Sequence, residues 1–176
     1  IAVSSNLYLK QSEVHGMSQR GGAVQSHLRV SDKPIASDLV PKGKADMIIS
    51  VEPLESLRYT PWLNNEGWII TNNKPFINVP NYPEKEKIYE EIGQHPRHVL
   101  FDADALAKKA GSNKSANIVI LGAASPFLGF PDEKYREAIQ YIFGRKGEEV
   151  VEMNIKAFNY GKEVASEQVS VWLLLI

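Results

Sequence analysis

Apolar and polar residues alternate along Leu7 to Gln11, the period of a short, half-buried strand. Alternation resumes from Ala23 to Val30 through Val24, Ser26, Leu28 and Val30, and Ser31, Asp32 and Pro34 supply a turn. Met47 to Val51 reads as an apolar run, the pattern of a strand buried on both faces of a parallel sheet. Glu52 and Pro53 then open a helix that Leu54, Leu57 and Tyr59 continue and Pro61 stops. Gly67 to Asn72 predicts the next strand, and Pro83 an amphipathic helix through Lys87, Ile88 and Ile92 to Gly93. Val99 to Phe101 forms a short strand, and Asp102 or Asp104 caps a helix from Ala105 to Ala110. Ala116 to Ala124 fits either a strand or a buried helix. Asp132 to Phe143 and Glu148 to Gln168 complete the helices. Strands alternating with helices predict an α/β fold: a three-layer α/β/α sandwich around a mainly parallel, Rossmann-like sheet.

Composition narrows the function classes. The 176 residues suit one domain with a sizeable core. Lys plus Arg number 20 against 21 Asp plus Glu, without the cationic surplus of a dedicated nucleic-acid binder. There is no cysteine, so these residues supply no disulfide, thiolate nucleophile or cysteine-ligated iron–sulfur cluster, as suits a reducing cytoplasm. No leader opens the sequence, and the apolar run Val171 to Ile176 is too short to span a bilayer. It reads as part of a core or an interface.

Candidate chemistry gathers between the first two strands, in Ser12-Glu13-Val14-His15-Gly16-Met17-Ser18-Gln19-Arg20-Gly21-Gly22. Glycines let another molecule approach the backbone closely, and Arg20 offers a planar fork for carboxylate or phosphate. Ser12, Ser18 and Gln19 add hydrogen-bonding groups. This run is expected to sit at the carboxyl end of a sheet strand, where such folds collect function. Gly16 to Arg20 nearly forms a hydrolase nucleophile elbow, with His15 and His27 as conceivable bases, but Arg20 stands where the elbow needs glycine. The Gly-x-Gly-x-x-Gly turn of nicotinamide dehydrogenases does not occur. His95 and His98 flank Pro96 and read as a polar turn rather than a metal pair, so no metal ligands are assigned.

The loop, with Val24, Ser26, His27 and Arg29 after it, resembles the γ-type domain of the 2-oxoacid:ferredoxin oxidoreductase family, most closely its indolepyruvate branch. A second stretch carries the same resemblance: Pro41-Lys42-Gly43-Lys44-Ala45-Asp46, then Glu52-Pro53-Leu54-Glu55 and Arg58. Asn117 with Leu121-Gly122, and Asn154 with Ala157-Phe158, echo it more weakly. The whole of 1–176 is then one γ-type domain. Such domains usually open with a strand, a Gly-x-Gly-Gly-x-Gly turn and a helix; only Ile1 to Asn6 precede the first strand here, so that opening is expected to be missing.

The resemblance implies a small subunit, inactive alone, in an oligomeric cytoplasmic enzyme that oxidatively decarboxylates a 2-oxoacid such as an arylpyruvate to its acyl-CoA. Thiamine diphosphate and iron–sulfur clusters would sit in a large partner subunit, and electrons would leave through that complex to ferredoxin. No catalytic residue and no cofactor are then assigned to this chain by itself. Ser12, Glu13, His15, Gly16, Ser18, Gln19, Arg20, Gly21 and Gly22 would face the partner or coenzyme A, with Glu52 and Arg58 as secondary candidates. The competing reading is a non-enzymatic, Rossmann-like nucleotide- or protein-binding module.

Overall fold

The computed structural model describes residues 1–15, 24–77 and 80–173. The described residues form two sheets. Strands β1 (Tyr8–His15) and β2 (Val24–Ser31) form an antiparallel ribbon with Tyr8 opposite Ser31 and His15 opposite Val24. Strands β3 (Ala45–Ser50), β4 (Leu63–Asn72) and β5 (His98–Phe101) form a parallel sheet in the order β3-β4-β5. The helices are α1 (Pro53–Arg58), α2 (Lys85–Gly93), α3 (Ala103–Lys109), α4 (Ala116–Ala124), α5 (Asp132–Phe143) and α6 (Glu148–Leu173).

Neighbouring residues of β4 and β5 divide the core between the two sheet faces. Ile69 packs with Ile88, Ile92, Leu54, Leu57 and Leu100, so α1 and α2 cover one side. Ile70, Val99 and Phe101 pack with Val119, Ile120, Tyr135, Val151 and Phe158, so α4, α5 and α6 cover the other. This is the three-layer α/β/α sandwich expected from the alternation. Ile69, Ile70 and Val99 are fully buried, and each such side chain contributes roughly 1.5–3 kcal/mol.

Two expectations change and one open alternative is settled. The strand buried on both faces is β4, not β3. Among the described residues β3 lies at one edge of the sheet and leaves Ile49 48% exposed. The ambiguous segment Ala116 to Ala124 is the helix α4. Its run Ile118-Val119-Ile120 favours a strand locally, but the segment is enclosed by the sheet, α3 and α6, and an apolar helix suits that site on all sides. Finally, Ser12, Glu13 and His15 belong to β1, which outruns its expected end at Gln11, and β1 lies in the ribbon rather than in the parallel sheet. The ribbon pairs antiparallel because only a short connection links its strands.

Candidate functional site

The ribbon carries the first set of candidates. Ser12 stands opposite His27, and Glu13 opposite Ser26. Gly16, Ser18, Gln19, Arg20, Gly21 and Gly22 lie outside the described residues, as does the side chain of His15. The run they belong to joins the ends of β1 and β2 at His15 and Val24.

The ribbon's two faces are unequal. Leu9, Val24, Leu28 and Val30 share one face, and all are open to solvent. Lys10, Ser12, Gln25, His27 and Arg29 share the other, and residues 32–44 run against it. Arg29 Nη1 donates to the carbonyls of Ser37 at 2.8 Å and Leu39 at 3.3 Å. Lys10 Nζ pairs with Asp38 at 2.8 Å. His27 is buried, and its Nδ1 accepts the Val40 N–H at 3.1 Å while its Nε2 lies 2.7 Å from the Gln25 carboxamide. With Nδ1 accepting, a neutral ring carries its proton on Nε2, so the carboxamide end that faces it is the oxygen. Both ring nitrogens are therefore engaged, and His27 has no lone pair to serve as a hydrolase base.

Between β2 and β3 lies a groove of about 1040 Å³, bordered by Arg29, Val30, Lys44, Met47, Trp62 and Phe130. It adjoins the root of the ribbon.

Glu52 and Arg58 belong to the sheet. Glu52 caps α1, accepting the Glu55 N–H on Oε2 at 2.8 Å. Its Oε1 accepts the Tyr82 hydroxyl and the Phe76 N–H, the latter at 3.4 Å. Burial, and then the bond to Glu52, push the Tyr82 hydroxyl above the usual tyrosine range. Both carboxylate oxygens are thus spent on holding α1 and the segment after β4. Arg58 ends α1 and pairs with Glu55 at 3.4 Å. Asn72, which sequence reasoning did not single out, ties the carboxyl ends of the strands together. It donates to Asp104 at 2.8 Å and to the Val51 carbonyl at 3.4 Å, and accepts the Ala103 N–H at 3.0 Å. An asparagine at the end of an apolar strand was the signal available. His98 Nδ1 donates to the His95 carbonyl at 2.7 Å; His95 lies in the bend before β5, and His98 is the first residue of that strand.

Against this geometry, the model of the pyruvate ferredoxin/flavodoxin oxidoreductase family matches residues 1–164. The chain belongs to that family. Among relatives in this family, it is 34% identical to indolepyruvate oxidoreductase subunit IorB of Pyrococcus horikoshii, over 97% of this chain and 87% of that one. Against subunit IorB of Thermococcus kodakarensis the identity is 35%, with the same shares. The pyruvate/ketoisovalerate oxidoreductases common subunit gamma of Thermococcus kodakarensis is 27% identical, over 90% of this chain and 83% of that one. Among solved structures, the 2-oxoglutarate:ferredoxin oxidoreductase of Magnetococcus marinus, with 2-oxoglutarate, coenzyme A and succinyl-CoA bound, superposes with a TM-score of 0.72 at 20% identity. The match covers 94% of this chain but spans 27% of that one, so the fold forms about a quarter of a longer polypeptide there.

Proposed function

We propose that this chain is the small subunit of a ferredoxin-dependent 2-oxoacid oxidoreductase of the indolepyruvate type. The observation that carries the reading is the 34–35% identity to two IorB subunits over 97% of the chain. In this reading the assembly is cytoplasmic and oligomeric, and it decarboxylates an arylpyruvate, captures the acyl group on coenzyme A and passes electrons to ferredoxin. Iron–sulfur clusters do not fit this chain, because its 176 residues offer no thiolate ligand. Clusters and thiamine diphosphate then belong to a large partner subunit, and the cofactors supply the redox and carbanion chemistry.

The part left to this chain is position and charge. The run His15 to Gly22 faces the partner subunit or coenzyme A. Its glycines allow a close backbone approach, and the Arg20 fork suits a carboxylate or a coenzyme phosphate. Ser12 and Glu13 support it from the end of β1, whereas Glu52 and Arg58 act by shaping the sheet end.

The test is reconstitution with the large subunit. Viologen reduction that depends on indolepyruvate and coenzyme A is expected from the mixture and from neither chain alone. Arg20→Ala should raise the Kd for the large subunit or the KM for coenzyme A about tenfold, the loss of one charge-assisted hydrogen bond, with an unchanged melting temperature. Turnover by the small chain alone overturns the reading.

A further inference from the structure

The β1–β2 ribbon needs something to hold it. Two-stranded ribbons are marginal in water without further packing, and this one leaves a whole face open. Its register also sets Lys10 directly opposite Arg29, two cations whose repulsion works against pairing. The segment 32–44 answers both difficulties. Asp38 neutralises Lys10, and the carbonyls of Ser37 and Leu39 receive Arg29. His27 accepts the Val40 N–H, so four consecutive residues, 37–40, are fastened by side chains of one ribbon face. The far end of the same segment is tied to the parallel sheet. The Gly43 N–H donates to the Pro61 carbonyl at 2.9 Å, Lys42 Nζ sits 5.0 Å from the centre of the Trp62 ring, and β4 follows at Leu63.

We propose that His27, together with Arg29 and Lys10, is a positioning residue: it moors the ribbon to the sheet through residues 37–40 and so sets the direction of the ribbon's end at His15 and Val24, between which the run lies in the chain. This rests on the reading that the run faces the partner or coenzyme A. In this role the effect of His27 passes through the direction of the ribbon. The buried imidazole is the specific element, since it supplies an acceptor at one fixed distance from the backbone. An asparagine at the same place offers Oδ1 from the same carbon position as Nδ1, whereas glutamine puts its oxygen one bond farther out.

The experiment uses the reconstituted two-subunit enzyme with His27→Ala, His27→Asn, His27→Gln and, in parallel, Arg20→Ala. The readouts are the Kd for the large subunit, kcat and the KM for coenzyme A, and hydrogen exchange at the Val40 amide. His27→Ala is expected to weaken association or raise the KM about tenfold, with kcat within about twofold, and to speed Val40 exchange. His27→Asn should restore both the exchange protection and the affinity, and His27→Gln neither. Wild-type affinity and KM in His27→Ala, or equal behaviour of Asn and Gln, overturns the mooring role. If Arg20→Ala is impaired while His27→Ala is not, the mooring fails and the reading of the run survives. If Arg20→Ala changes nothing, the reading of the run fails and takes the mooring role with it.

Discussion

Individual residues here show what a polar side chain in a core costs. Tyr135 is 1% exposed, stacks near Phe158 with ring centroids 5.0 Å apart, and has no hydrogen-bond partner for its hydroxyl among the described residues. A buried hydroxyl without a partner costs about 1–3 kcal/mol, so Tyr135→Phe is expected to stabilise the fold by about 1 kcal/mol in urea unfolding. A destabilised variant would mean that the hydroxyl is bonded after all. Burial, and then the charge of Asp132, push the hydroxyl from 10.0 up to about 12. The raised folded value means that stability is complete below pH 10 and is lost as pH rises towards 12. The decline across that window should be shallower in Tyr135→Phe. Glu52 shows a carboxylate with its partners in place. A secondary candidate from the family-like run, it has both oxygens on neighbouring backbone and Tyr82.

Among the elements, α4 and α6 meet more closely than side chains allow. A Cβ on Gly161 would lie 1.8 Å from the Val119 carbonyl oxygen, and one on Gly122 would lie 2.0 Å from that of Phe158. Neither neighbour is a flexible side-chain tip, so the helices must separate to admit a methyl group. Gly161→Ala should therefore cost on the order of 3 kcal/mol, read as a lowered urea midpoint, although alanine is the better helix former. An unchanged midpoint would show that the two helices can part freely. Such contacts explain what could be read in advance and what could not. Helices with a polar face, such as α2 and α5, and a capped one such as α3 with Asp102 on the Ala105 N–H, announced themselves through local rules. α4 did not, because a segment buried on every side loses its period, and only its neighbours decide between strand and helix. The alternation of β1 and β2 was equally legible, but their separation from the parallel sheet was not. Which edge a strand joins depends on contacts distant in sequence. The same holds for the site: the loop's chemistry stood in the sequence, while the clasp made by His27, Arg29 and Lys10 needed residues eight or more positions away.

For the whole molecule, the division of labour has a structural expression. The sandwich carries the core, and the ribbon is a sheet of its own, tied to the sandwich through residues 32–44 and, ahead of β1, through Ile1, which packs on that core. That arrangement suits a chain whose role is to present a surface to a larger partner rather than to enclose a reaction. It also leaves β3 with a single strand neighbour and Ile49 in water. A row of outward amides and carbonyls beside an apolar side chain is a template for another strand, whoever owns it. The consequence is colloidal: purified without its partner, the chain should scatter light increasingly with concentration and warming, through strand-to-strand growth rather than through loss of its core. Ile49→Lys places a charge on that margin and should suppress the scattering while leaving the unfolding midpoint within about 0.5 kcal/mol of the parent. Undiminished scattering in the lysine variant would shift the blame to the apolar face of the ribbon, where Leu9, Leu28 and Val30 stand in the open.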